Sequence, residues 1–165
     1  MMQKKVCLLG GFAVGKTSLI RRFVTGAFSE QYQTTIGVTI EKKTLSLDGQ
    51  DIALVIWDLY GDDDFQRLRE SYLRGSAGYI LVVDGTRGTS LDKAEDLHRM
   101  AQATLGPVPF VLIVNKADRE DEWDIDESRL TLLRAKGWPV VFGSAKTGSG
   151  VEELFCDLTR RTMTA

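Results

Sequence analysis

The stretch VCLLGGFAVGKTSLI (Val6–Ile20) decides the fold. VCLLG is short and almost wholly apolar, as a strand buried on both faces of a parallel sheet is. GGFAVGKTS (Gly10–Ser18) then turns, and Leu19, Ile20, Phe23 and Val24 share one face of a helix. Gly10, Gly15, Lys16 and Thr17 fit the spacing G-x-x-x-x-G-K-[ST] of a phosphate loop. Its backbone N–H groups, from Gly10 through Phe12, Ala13 and Val14 to Ser18, can cradle phosphate oxygens where the helix begins. Lys16 is expected to reach the β- and γ-phosphates, and the Thr17 hydroxyl to bind Mg²⁺. The plain alternative, a glycine turn with a surface lysine, is disfavoured by the strand–loop–helix context.

Outward from this loop, strand signals recur at Ala53–Trp57, Tyr79–Asp84, Phe110–Asn115 and Pro139–Gly143. Helical patterns lie between them: Leu91–Thr104, Ser128–Lys136, and a last one with Val151, Leu154, Phe155 and Leu158 on one face. Alternation of strand and helix predicts a doubly wound α/β domain. One region breaks the pattern. In EKKTLSLDGQDIALVIW, Asp48-Gly49 separates two strand-like runs, the first rich in Lys and Thr, which predicts a hairpin and one antiparallel edge strand.

The chain has 165 residues, enough for one domain spanning 1–165 and too few for two. Its net charge of −2 carries no basic footprint, which excludes nucleic-acid binding by charge. No apolar run approaches the ~18 residues of a membrane span. Two cysteines, Cys7 and Cys156, give no disulfide framework, and a reducing cytoplasmic setting is expected. The closing RTMTA has no prenylation box, so no intrinsic membrane anchor is expected. The acidic run Asp118–Glu127 reads as a solvated loop leading into a helix, and His98 as a surface residue of a charged helix.

Asp58 follows the strand ALVIW, where a carboxylate serving Mg²⁺ belongs, and Gly61 could bring its N–H close to a γ-phosphate. NKAD (Asn115–Asp118) follows FVLIV. The Asp118 carboxylate can accept hydrogen bonds from the N1–H and amine of guanine, a donor pair adenine lacks. Lys116 can lay its aliphatic stem along the base. SAK (Ser144–Lys146) follows the last strand, and the Ala145 N–H could meet the guanine O6. All these motifs fall at the C-terminal ends of strands, where open α/β sheets bind ligands. NKAD and SAK disfavour an ATPase or small-molecule kinase.

With these residues, and with TTIGV (Thr34–Val38) and SYLRGSAGYILVVDGT (Ser71–Thr86), the sequence resembles the Ras superfamily of small GTPases, most closely the Rab branch, over essentially its whole length. The resemblance implies a six-stranded sheet with five helices. It implies binding of GTP or GDP with Mg²⁺, and protein effectors or regulators that recognise one nucleotide state. Thr35 would bind Mg²⁺ and the γ-phosphate, Phe28 would pack on the guanine, and Tyr32 would lie over the phosphates. Residues 26–38 and roughly 58–75 would be the two switches.

The family pattern is broken where the chemistry is done. Asp62 stands where the family has the glutamine that orients the attacking water. Phe12 replaces a small residue, and Leu59-Tyr60 replace a small Thr-Ala pair. A carboxylate at 62 cannot donate to the γ-phosphate as an amide can, and it adds charge beside a polyanion. It could instead serve as a general base, although phosphoryl transfer depends mainly on positioning and charge stabilisation. Asp63 and Asp64 are expected to cap the second helix, a role also open to Asp62. Phe12 would crowd the entry of an arginine finger, or would lie over the loop against Tyr60 or Tyr32. The expectation is a guanine-nucleotide switch and weak GTPase, with Lys16, Thr35, Gly61 and Asp62 as its catalytic set. A non-hydrolysing module that holds the nucleotide structurally is the alternative.

Overall fold

The computed structural model describes residues 1–26, 37–60 and 66–164. Six strands form one sheet: β1 (Met2–Leu9), β2 (Gly37–Leu47), β3 (Gln50–Tyr60), β4 (Gly78–Asp84), β5 (Phe110–Asn115) and β6 (Val140–Phe142). Five helices alternate with them: α1 (Lys16–Thr25), α2 (Gln66–Leu73), α3 (Thr89–Leu105), α4 (Glu127–Ala135) and α5 (Val151–Thr164). The strand order is β2-β3-β1-β4-β5-β6, parallel throughout except for β2. This is the α/β architecture that the sequence pattern predicts.

The strands read as unbroken apolar runs because both sheet faces are covered. Along β1, Val6 and Leu8 point to a core shared with α1 and α5, while Cys7 and Leu9 point to a core shared with α2, α3 and α4. β4 and β5 alternate in the same way. The rings of Phe23 and Phe155 stack at 4.1 Å and tie α1 to α5. Burial of each such side chain contributes about 1.5–3 kcal/mol. Cys7 is a core residue, and both cysteines are free thiols.

The hairpin forms at Asp48-Gly49, with φ of 52° and 79°. Two left-handed residues in succession match the twist of the flanking strands. β3 continues through Tyr60, so Asp58 lies inside the strand rather than after it: it pairs with Leu8 on one side and Thr39 on the other. The long antiparallel partner β2 carries the strand past the end of its apolar run. At the opposite end of α2, Lys5 Nζ donates to the carbonyls of Tyr72 at 2.5 Å and Arg74 at 2.8 Å, and sits 3.8 Å over the Trp57 ring. A cation at a helix C-terminus meets the negative end of the helix dipole.

His98 departs from its expected surface position. Its ring is half-buried between Phe110 and Trp138, at 4.5 Å and 4.3 Å, and its Nδ1 lies 2.9 Å from the Tyr79 hydroxyl. Burial, aided by Arg99, holds the imidazole pKa below its ordinary value. The charged neighbours in DKAEDLHRM concealed one half-buried position on α3. Among the described residues, no helix is long and apolar enough to cross a membrane.

Candidate functional site

The loop between β1 and α1, the end of β3, and the loops after β4, β5 and β6 meet at the C-terminal edge of the sheet. Gly15 precedes α1 with φ of 102°, and a Cβ there would collide with the Asn115 amide. Glycine is therefore required twice over, by conformation and by space. No side chain caps the helix at Gly15, so the first-turn N–H groups of α1 are not taken by a cap side chain. Lys16 folds back over the loop, donating to the carbonyls of Gly10 at 3.2 Å and Gly11 at 3.3 Å. Thr17 Oγ1 donates to Asp58 Oδ2.

Asp58 Oδ1 is buried and has no hydrogen-bond partner among the described residues. An unsatisfied buried acceptor costs about 1–3 kcal/mol. Burial pushes the Asp58 carboxyl above its ordinary range, while the charge of Lys16 and the Thr17 hydrogen bond pull it back. A hydroxyl and a carboxylate side by side, with one oxygen unsatisfied, suit a hard cation such as Mg²⁺. That ion takes oxygen donors and is held by few protein groups. Among the described residues, no group of three or more His, Cys, Asp or Glu could hold a metal ion.

The second half of the site is a set of braces centred on Asn115. Its Nδ2 donates to the Val14 carbonyl at 3.0 Å, and its Oδ1 accepts from the Ala145 N–H at 3.2 Å. One buried amide thus joins three loops. Lys116 Nζ reaches the Ala13 carbonyl at 3.3 Å and the Asp84 carboxylate at 2.9 Å. Ser144 Oγ donates to Asp118 Oδ1 at 2.6 Å. Ala13 and Lys116 have φ of 59° and 67°, a left-handed conformation that non-glycine residues rarely adopt. These two residues face each other across a hydrogen bond, and conformational strain held this way gathers at ligand sites.

Three braces had no part in the sequence reading. Burial raises the Asp84 carboxyl pKa, but hydrogen bonds from Thr86 and Lys116 outweigh it, and the group lies below its ordinary range. Arg87 links Asp84 at 3.2 Å to the Phe12 carbonyl. Arg22 on α1 donates to the carbonyls of Ala145 at 2.8 Å and Lys146. An aspartate ending the strand YILVVD was the available signal for the first. Nothing in LIRRF marks Arg22, because its partners are 123 and 124 residues away.

Phe12 is 61% exposed and makes no ring contact with another aromatic among the described residues. Ser18 is buried in α1. The expected positions Phe28, Tyr32, Thr35, Gly61 and Asp62, and the capping pair Asp63 and Asp64, lie outside the described residues. The structure therefore brings together Gly10, Ala13–Thr17, Asp58, Asn115, Lys116, Asp118, Ser144 and Ala145.

Residues 5–164 match the sequence profile of the Ras family. The chain belongs to the Ras family. Within it the chain is Rab-like. It is similar to the Ras-related protein RAB1BV of Beta vulgaris, 35% identical over 94% of this chain and 74% of the relative. Human Ras-related protein Rab-8B is 34% identical over 97% of this chain and 78% of its own. Ras-related protein Rab-21 of Geodia cydonium is 34% identical over 99% and 72%. The strand order and the loop braces are thus features of a Ras-family member.

Proposed function

We propose that this Ras-family chain is a guanine-nucleotide switch whose nucleotide binding is intact and whose intrinsic GTP hydrolysis is slow. The observation that carries the binding half is Asn115, which ties the Val14 carbonyl of the phosphate loop to the Ala145 N–H of the last loop. In this reading Asp118, held by Ser144, would accept from the Watson–Crick edge of guanine, and the Ala145 N–H would meet its O6. The arrangement also leaves the N–H groups of Gly10–Ser18 to cradle the phosphates, with Lys16 released from Gly10 and Gly11 onto them. Thr17 and Asp58, joined by Thr35, would hold Mg²⁺. When bound, the ion neutralises charge on the β- and γ-phosphate oxygens.

The slow-hydrolysis half follows from the residues themselves. Asp62 offers a carboxylate where an amide would both accept from water and donate to the γ-phosphate. Each 1.4 kcal/mol of lost transition-state stabilisation is about tenfold in rate. The exposed Phe12 ring stands on the phosphate loop, where a partner's arginine would approach. Competition between GTP and ATP for the purified protein tests the binding half, and equal affinities would sink it. Single-turnover GTP hydrolysis, compared with Asp62→Gln, tests the rate half. The variant should gain about tenfold. A native rate at the level of Gln-bearing relatives would overturn the slow assignment.

A further inference from the structure

The acidic run Asp118–Glu127 is not a uniformly solvated loop. It holds seven carboxylates, and four have partners in the protein. Asp118 accepts from Ser144 at 2.6 Å, and Glu122 pairs with Arg119 at 2.5 Å. Asp124 accepts from the Gly88 N–H at 3.0 Å, and Asp126 caps α4 through the Ser128 N–H at 2.9 Å. Glu120, Asp121 and Glu127 make no side-chain hydrogen bond or ion pair among the described residues.

Two of these three, Glu120 and Glu127, line an open cleft of about 320 Å³ with Ala117, Trp123 and Phe142. The Trp123 and Phe142 rings touch each other, with centroids 6.0 Å apart at 47°, and together form its aromatic side. The tryptophan is held rigidly. Its ring packs on Gly85, and the next residue's N–H donates to the Gly85 carbonyl at 2.8 Å. Phe142 already takes a guanidinium on one face, with Arg134 5.5 Å from its centroid.

Aromatic faces attract cations, most strongly the planar guanidinium, which stacks on a ring while its donors reach carboxylates. Unpaired acids beside fixed aromatic rings are complementary to such a side chain in both charge and shape. Metal binding is disfavoured, because the cleft offers two carboxylates and no third ligand among the described residues. From this charge and shape complementarity we infer that the cleft lined by Trp123, Phe142, Glu120 and Glu127 binds an arginine side chain from a basic segment of a protein partner. None of the described lining residues belongs to segments 26–38 or 58–75, and Ala117 is the one that belongs to NKAD. Occupancy of the cleft therefore does not depend on the nucleotide reading above.

The test uses the full chain with the nucleotide it carries on purification, ¹⁵N-labelled. The probe is a short capped peptide bearing three arginines, with the same peptide bearing glutamines as control. The expected result is a saturable shift of the Trp123 indole N–H with the arginine peptide only. The Glu120→Gln/Glu127→Gln double variant should weaken binding at least fivefold and leave nucleotide release unchanged. Asp121→Asn, which removes an unpaired acid outside the cleft, should change it less than twofold. Phe142→Leu should also weaken binding, with thermal melts confirming that each variant folds. An equal loss in Asp121→Asn and the double variant would mean diffuse charge attraction and would overturn the site. So would failure to saturate, or indifference to both Glu120 and Glu127. Self-association without peptide that the double variant abolishes, read by sedimentation, would overturn the partner assignment in favour of a second copy of the chain.

Discussion

Asn115 has both ends of its amide engaged by neighbouring loops, whereas Asp58 keeps one buried carboxylate oxygen without a partner among the described residues. Around Asn115, Lys116, Asp84 and Ser144 the loops are closed by the protein's own hydrogen bonds. In the proposed reading Asp58 is completed by a bound cation. Asn115 and Lys116 also brace the loop between β1 and α1, through the Val14 and Ala13 carbonyls, so the two ends share that support and differ at Asp58.

The largest break in this contrast should come from Asn115→Ala. It removes two buried hydrogen bonds and leaves the Val14 carbonyl and Ala145 N–H without their partner. The loss of about 2–4 kcal/mol should speed nucleotide release ~10²-fold or more, measured with a fluorescent guanine nucleotide. Release at the native rate would refute the bracing role.

A middle-sized effect is expected from Asp58→Asn. The substitution removes a buried charge that the metal-free protein tolerates poorly. The metal-free variant should melt a few degrees higher, since about 1 kcal/mol shifts the midpoint by 2–4 °C at this size. Stabilisation by Mg²⁺ should vanish. Equal Mg²⁺ dependence in both proteins would remove Asp58 from the metal site.

The smallest effect belongs to His98, remote from both ends. Its folded pKa is depressed by burial, so between that value and about 6.5 the unfolded chain binds the extra proton. Stability is then full above pH 6.5 and falls as pH drops towards the folded pKa. His98→Gln should flatten this slope in chemical unfolding between pH 8 and 5. An unchanged slope would assign the pH dependence elsewhere, and the site's carboxylates would need re-examination.

The fold was largely legible in the sequence because both of its signals are local. Buried parallel strands are continuous apolar runs, and the Asp48-Gly49 turn announces its own hairpin. The motifs that meet at the edge of the sheet were legible for the same reason, as short spacings at strand ends. What stayed hidden depends on distance along the chain. Arg22 acts on residues 145 and 146 and carries no pattern in its own neighbourhood, whereas Asp84, which acts on 116, was marked only by its place at a strand end. His98 was misread because helix amphipathicity is an average, and one histidine among charges can still face the core. The end of β3 was set by its pairing with β2, which no property of ALVIW foretells.

The clasp of Lys5 on the last turn of α2 has an optical consequence. Trp57 is held between the Lys5 ammonium and the Tyr72 ring, whose centroid is 5.8 Å away. Any shift of that helix end changes the charge over the indole and the ring beside it. The protein thus carries a fluorophore at the C-terminal end of α2, and with Trp123 and Trp138 replaced, emission from Trp57 can follow that segment without an attached dye.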